Sequence, residues 1–400
     1  MNVQEGNPLK MEYDYRKELL DEVLPFWLKF SPDDKYGGYF TCLDSEGKVF
    51  DTDKFIWLQA RQIWSFSKMY KEFDLERNYL DQAIQGAEFL LLNGRDKENN
   101  WYFSLDRKGN PLVVPYNIFS DCFVAMAFAA LYKVQPDERY AEIARETFQN
   151  ILSRKSNPKG KWEKKITGNR TLINFSLPMI LSNLSLEMED LLDDDLVDNL
   201  KEEVIDQVMN VFYNKDFKVI LENVDSAGNF NDSFDGRLFN PGHNLEAMWF
   251  IMDLGIRKND SALIEKAKNM SLQIISRGWD KKFGGIFYFL DIKGNPPQQL
   301  EWDQKLWWVH LEAMVCMIKA YQHTGDKNAF KWFKKLETYT WSHFRDKTGG
   351  EWFGYLNRQG EVLLPLKGGK WKGCFHVPRA LYQISQMKEA LKTVKPRIEI

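Results

Sequence analysis

The sequence predicts an all-α chain built as an (α/α)6 barrel, with short β-hairpins capping one end. Three observations predict it. Aromatic segments ending in an Asp-x-x-Gly-like turn recur, with turn glycines at Gly47, Gly109, Gly168, Gly228, Gly294 and Gly360, a period of about sixty residues. Each turn is followed by an apolar helical pattern and then by a more charged one. No linker rich in Pro, Gly or Ser interrupts the series, so the 400 residues read as one domain.

The elements follow in order. A helix around Tyr13 to Phe30 supplies the outer partner that closes the ring. The aromatic runs GGYFTCLDSEG, NWYFSLDRKG, KVILENVDSAG, GGIFYFLDIKG and GEWFGYLNRQG read as hairpins or short extended loops, with GKWEKKITG as a weaker member. The apolar helices, such as Trp57 to Trp64 and Trp307 to Ala320, are expected inside the ring. The charged ones, such as Asn78 to Leu92 and Ser261 to Ile275, are expected outside. An open solenoid is the competing architecture, and the lack of distinct polar capping repeats favours closure.

Composition excludes several functions. Lys+Arg 54 against Asp+Glu 57 leaves a net charge of −3, unsuited to nucleic-acid binding through bulk positive charge. Mean hydropathy is −0.48, and no stretch approaches the roughly 20 apolar residues of a membrane span. The N-terminus is polar and mixed in charge, unlike a signal or transit peptide. The cysteines Cys42, Cys122, Cys316 and Cys374 lie far apart, which suits a reducing cytosol and a cytoplasmic protein. Aromatic residues reach 14%, enough for a large core and for the walls of a sugar cleft.

Polar groups recur 14 to 19 residues after the turn glycines: Arg61, Asn183, His243 with Glu246, Glu312, and His376 with Arg379. In a barrel they converge near one end of the axis, and buried charges that converge require a reason. His243 and Glu246 are three apart, so the carboxylate is expected to orient that imidazole. His376 and Arg379 share the same spacing. Lys305, Trp308 and Glu312 form an i, i+3, i+7 stripe, which makes Lys305 and Trp308 candidate substrate contacts, whereas His310 falls on the opposite face. A packed core histidine at a helix start is the plain alternative for His243.

No metal is expected, since zinc needs about four ligands and the cysteines and histidines offer no such spacing. An inverting glycosidase would need two carboxylates, one kept protonated. Glu246 and Glu312 both have cationic neighbours, which weakens a general-acid role. Two imidazoles facing each other suit proton abstraction and return at carbon, with an arginine holding the enediolate. Return to the opposite face is epimerisation, and it needs no cofactor.

The segments Asn240 to Trp249, Lys305 to Ala313 and Lys372 to Leu381, with Trp57 to Gln62 and Gly278-Trp279-Asp280, resemble the N-acylglucosamine 2-epimerase family, also described as renin-binding protein. The likeness covers nearly the whole chain in order. It implies the same barrel, usually as a homodimer, interconverting N-acetylglucosamine and N-acetylmannosamine at C2 of the ring-opened sugar. It implies acid/base roles for His243 and His376, support from Glu246, Glu312 and Arg379, and substrate binding by Arg61. Asn183 stands where the related cellobiose 2-epimerases are thought to carry a histidine, which favours an N-acyl sugar. The resemblance also implies ATP as a non-consumed activator, with Lys159, Gly160 and Lys161 in a basic loop as the candidate site. That loop lacks the G-x-x-x-x-G-K-[ST] spacing of a P-loop. An aldose–ketose isomerase of the mannose type, or a non-catalytic interaction protein, are the alternative readings.

Overall fold

The computed structural model describes residues 11–393 apart from 165 and 167. The first ten residues, and two positions of the weak repeat before Gly168, lie outside the described residues. The chain is mostly helical with short strands. In chain order the helices are α1 (Tyr15–Lys17), α2 (Leu24–Phe30), α3 (Ile56–Phe73), α4 (Arg77–Asn93), α5 (Ile118–Tyr132) and α6 (Glu138–Ser153). They continue with α7 (Ser176–Glu187), α8 (Asp194–Asp206), α9 (Pro241–Arg257), α10 (Ser261–Gly278), α11 (Trp307–Thr324), α12 (Lys327–His343) and α13 (His376–Thr393). A π-helical stretch, Glu18–Val23, joins α1 to α2, so the expected N-terminal helix is present with a bulged middle.

The alternation of apolar and charged helices sets the layering. Helix α5 is buried from Ile118 to Leu131 without a polar stripe, so it lies inside; α6 buries only one face, through Tyr140, Ile143, Thr147 and Ile151 among others. The odd-numbered helices pack in sequence: α3 on α5, α5 on α7, α7 on α9, α9 on α11 and α11 on α13. Helix α13 touches α3. Each of α3, α5, α7, α9 and α11 also packs against the helix that follows it, while α1 and the π-helical stretch cover α13. Side-chain oxygens of Asn117, Asp137, Asp193, Asn240, Asp260 and Asp326 cap helix N-termini, so each register begins at a fixed residue.

First and last segments are laced together. Tyr15 Oη donates to Glu337 (2.7 Å), Trp27 Nε1 to Glu351 (2.5 Å) and Ser65 Oγ to the Cys374 carbonyl (2.7 Å). Leu43 C=O accepts from the Lys367 amide at 3.0 Å.

The recurrent turns hold the connections. Gly47, Gly109, Gly228, Gly294 and Gly360 all have φ between +81° and +96°, and each amide donates to the Asp or Asn carbonyl three residues earlier. A left-handed backbone there explains why glycine recurs. Short antiparallel strands flank these turns: Lys54–Phe55 with Ser104–Leu105 and Pro111–Val113, and Lys305–Leu306 with Tyr355–Leu356 and Val362–Leu364.

These two small sheets anchor a repeated clamp. Lys54 Nζ reaches Asp33 (3.0 Å), and Arg107 binds the same carboxylate; Lys305 Nζ reaches Asp280 (3.1 Å), and Arg358 binds that one. Burial alone would raise the two carboxyls, yet the paired cations hold both down at about 2. Lys305 is thereby corrected. It lies in the strand before α11, fully buried in a structural ion pair. The helical stripe that grouped it with Trp308 and Glu312 begins only at Trp307.

Candidate active site

The site lies where α3, α9, α11 and α13 meet. His376 is the first residue of α13, and Arg379 follows one turn later. His376 Nδ1 lies 2.7 Å from Glu312 Oε1 of α11. An ionised carboxylate only accepts, so Nδ1 carries the hydrogen and Nε2 keeps its lone pair. Arg379 Nη2 donates to Glu312 (2.8 Å) and to Glu246 of α9, while Trp249 Nε1 donates to the other oxygen of Glu312 at 2.8 Å. Both carboxylates therefore share one guanidinium. Burial, with Arg61 and Arg379 nearby, drives the His376 pKa well below 6.5. At neutral pH this imidazole is uncharged.

His243 lies in the first turn of α9, placed by the Asn240 cap that accepts from its amide (3.1 Å). Its partner differs from the expected one. Nδ1 contacts Glu222 Oε2 at 3.0 Å, whereas Glu246 is occupied by Arg379. The i, i+3 pairing fails because a cation from α13 competes for the Glu246 carboxylate. Burial works against charge on His243, but Glu222, helped by Glu246, raises its pKa above 6.5. Their surroundings thus push the two imidazole pKa values in opposite directions.

Glu222 was not foreseen. It sits between the strands Val219–Ile220 and Asn223–Asp225, 4% exposed, with Oε1 buried and unpaired. The available signal was a single acid ending the apolar run Val219-Ile220-Leu221.

Trp308 joins the two imidazoles. Its ring lies 5.3 Å from that of His243 and 5.9 Å from that of His376, at 37° to each. Tyr288 meets the same indole edge-on at 6.1 Å. Arg61 reaches this cluster from α3, its guanidinium packed over Trp57 (4.4 Å), Phe123 (3.9 Å) and Phe375 (4.7 Å). No described residue accepts a hydrogen bond from it, its Nε is buried without a partner, and burial lowers its pKa to about 9. Asn183 is buried in α7 with Nδ2 against Met126 Sδ (3.6 Å), so it faces α5. His310 is separate, as expected. Fully buried, it accepts from the Ile286 amide, and burial lowers its pKa to about 3.

Donor atoms of Glu246, Glu312 and His376 lie within 4.8 Å of one another. The charge that two carboxylates require is already supplied there by Arg379, so these residues do not fit a resident metal. The basic loop gives a similar answer for a triphosphate. Lys161 Nζ binds Glu98 (3.0 Å), Lys159 faces Glu163, and both lysines are exposed. Cations already facing carboxylates on an open loop do not form a phosphate cradle.

Comparison with known proteins now fixes the family. The sequence profile of N-acylglucosamine 2-epimerase (GlcNAc 2-epimerase) matches residues 38–380. The N-acylglucosamine 2-epimerase of Mus musculus is 39% identical over 93% of this chain and 90% of its own length. The chain belongs to the N-acylglucosamine 2-epimerase family. It is an enzyme of the isomerase class. Solved relatives share the fold: a cellobiose 2-epimerase from Bacillus thermoamylovorans B4167 (TM-score 0.79, 23% identity, 93% of this chain and 98% of that one) and a D-mannose isomerase (TM-score 0.81, 17% identity, 96% and 100%). In this chain, His376, Glu312, Glu246 and Arg379 form one hydrogen-bonded cluster, while His243 with Glu222 forms another, joined to the first through Trp308.

Proposed function

We propose that this member of the family is an N-acyl-D-glucosamine 2-epimerase on an (α/α)6 barrel, and that His376 and His243 exchange the C2 proton of the open-chain sugar. The observation that carries the reading is the pair of imidazoles against one indole, whose surroundings push their pKa values in opposite directions. Environments that push two pKa values apart assign the base and the acid. Neutral His376 takes the C2 proton on Nε2, since its Nδ1 hydrogen is engaged by Glu312. The enolate charge that develops at O1 is met by Arg61, the cluster's guanidinium without an acceptor. Cationic His243 delivers its Nε2 proton to the other face of C2. The bond formed and the bond broken are both C–H, so configuration inverts without oxidation or a consumed co-substrate.

Incubating the enzyme with N-acetylglucosamine in D2O tests this. Deuterium at C2 of N-acetylmannosamine, followed by NMR, is expected. Mannose offered in parallel separates the alternative: a ketose formed from it would make the protein an aldose–ketose isomerase returning the proton to C1, and no exchange on either sugar would remove both readings. A purely non-catalytic role fits poorly with charged groups gathered inside the ring. The same proposal takes a cytosolic homodimer activated by ATP: sedimentation checks the dimer, and activation by ATP in initial rates should survive Lys161→Ala, since that lysine already faces Glu98.

A further inference from the structure

The carboxylate that partners His243 is itself held in place. Glu222 lies on the short link Leu221-Glu222 between the strands Val219–Ile220 and Asn223–Asp225. One of its oxygens meets His243 Nδ1; the other is buried without a partner, so no second bond steadies the carboxylate among the described residues. Its placement therefore comes from the backbone, and side-chain amides pin that backbone on both sides. Ahead of the link, Asn244 is fully buried next to His243. It accepts from the Ile220 amide (2.8 Å) and donates to the carbonyls of Ile220 and Asn240 (3.0 Å each). After the link, Asn223 accepts from Asn174 Nδ2 (3.0 Å) and donates to the Asp235 carbonyl (3.0 Å). The Glu222 carbonyl accepts from Asn174 Nδ2 (3.1 Å) and the Phe175 amide (3.0 Å), while the Glu222 amide donates to the Leu238 carbonyl (3.2 Å). Three segments, ahead of α7, around Glu222 and ahead of α9, are joined by asparagines on either side of one acid.

We infer that Asn244 and Asn223 are positioning residues that hold the Glu222 carboxylate against His243 Nδ1. This rests on the epimerase reading above and adds what keeps its proton donor paired. An asparagine suits the task because one amide offers both an acceptor and two donors, and so binds a backbone N–H and C=O together as a neighbouring strand would. Asn244 does this to Ile220, which locks the strand leading to Glu222 onto the helix that carries His243. Few ionisable groups bear on that imidazole. Glu222 faces it from the link and Glu246 from its own helix, but Glu246 is bound by Arg379 of α13, and α11 presents the indole of Trp308. Tyr288, raised by burial, Glu301 and Glu222, stays a neutral hydroxyl. Burial opposes charge on His243, and Glu222 is the main group that favours it, so a carboxylate that drifts away leaves burial to prevail.

The test follows the His243 imidazole by NMR titration of the free enzyme, and C2 deuterium exchange on N-acetylglucosamine against pH. Wild type is compared with Asn223→Ala, Asn244→Ala and Glu222→Gln, and with Asn223→Ala added to Glu222→Gln. In each asparagine variant the His243 titration and the alkaline limb should fall by about one pH unit, the low end of what a close opposite charge supplies. Above the limb this is a loss of about tenfold in kcat, with KM unchanged and the acidic limb in place. In the Glu222→Gln background, Asn223→Ala should move the limb no further, because both changes act through one contact. An unmoved His243 titration in Asn223→Ala, or an equal further shift in the double variant, would overturn the proposal while leaving the epimerase reading intact. Asn223 is only partly buried, so its variant decides the matter even where Asn244→Ala does not fold. Absence of exchange on N-acetylglucosamine in wild type would instead remove the epimerase reading, and the titration would still judge the two asparagines.

Discussion

His243 and His376 are the same residue at comparable places, each in the first turn of an inner helix and each touching Trp308. Their surroundings differ. His376 is 8% exposed in its side chain, and its carboxylate partner is shared with Arg379; His243 is 25% exposed and has Glu222 largely to itself. The arginines around His376 oppose a positive charge, whereas Glu222 favours one on His243. A carboxylate contact therefore does not fix a histidine's charge. What matters is whether that carboxylate's own charge is already matched by a cation.

Breaking either member gives the largest effect. His376→Ala and His243→Ala should each lower kcat by about 10²–10⁴, the usual worth of a general acid or base, with melting curves close to wild type. Near-normal turnover in either variant would end the paired assignment. Single-turnover exchange in D2O sharpens the contrast: with N-acetylglucosamine as substrate, loss of His376 should block proton removal, while loss of His243 should impair only its return.

Arg61→Met is next in size, with kcat down about 10²-fold from loss of a donor to the developing oxyanion. It should also move the acidic limb of the rate profile to higher pH, since the Arg61 charge helps to hold His376 neutral. The wild-type profile should be a bell spanning pH 6.5, its acidic limb set by His376 below that value and its alkaline limb by His243 above it. Glu222→Gln should pull the alkaline limb down while leaving the acidic limb in place. Stability follows the same signs. The His243–Glu222 contribution is complete below 6.5 and is lost as pH rises through the raised pKa. The contribution of neutral His376 is complete above 6.5 and is lost as pH falls through the lowered one.

Lys305→Met provides the smallest change in chemistry. It strands Asp280 with Arg358 alone and should cost roughly 3 kcal/mol of stability in denaturant unfolding. Both limbs of the rate profile should stay fixed, because the clamp lies outside the histidine cluster. A shifted limb would mean that remote charges, and not close neighbours, set the two imidazoles apart. The two clamps should also loosen together in acid. Their contribution is full above the ordinary carboxylate value of 3.8 and is lost as pH falls through about 2.

Much of this was legible in the sequence because the repeat carries both fold and site. The turn glycines mark left-handed positions, and similar offsets after them place Arg61, His243, Glu246, Glu312, His376 and Arg379 on facing helices. Long-range competition was not legible. Spacing paired His243 with Glu246, but Arg379 arrives from a helix more than a hundred residues later and takes that carboxylate. Glu222 escaped notice because it lies on the short link between two strands, outside the helical register that identified the others. Lys305 was misplaced by one strand, since nothing in the local pattern separates Lys305–Leu306 from the helix that begins at Trp307.

The lacing of the first helices to the last segment bears on how the protein is made. Trp27 waits for Glu351, and Ser65 waits for Cys374, so the earliest part of the chain gains its final partners only when the end has been synthesised. His376 and Arg379 arrive in that same last stretch. On the roles proposed above, a nascent or truncated polypeptide without that stretch would be inert as well as unlaced.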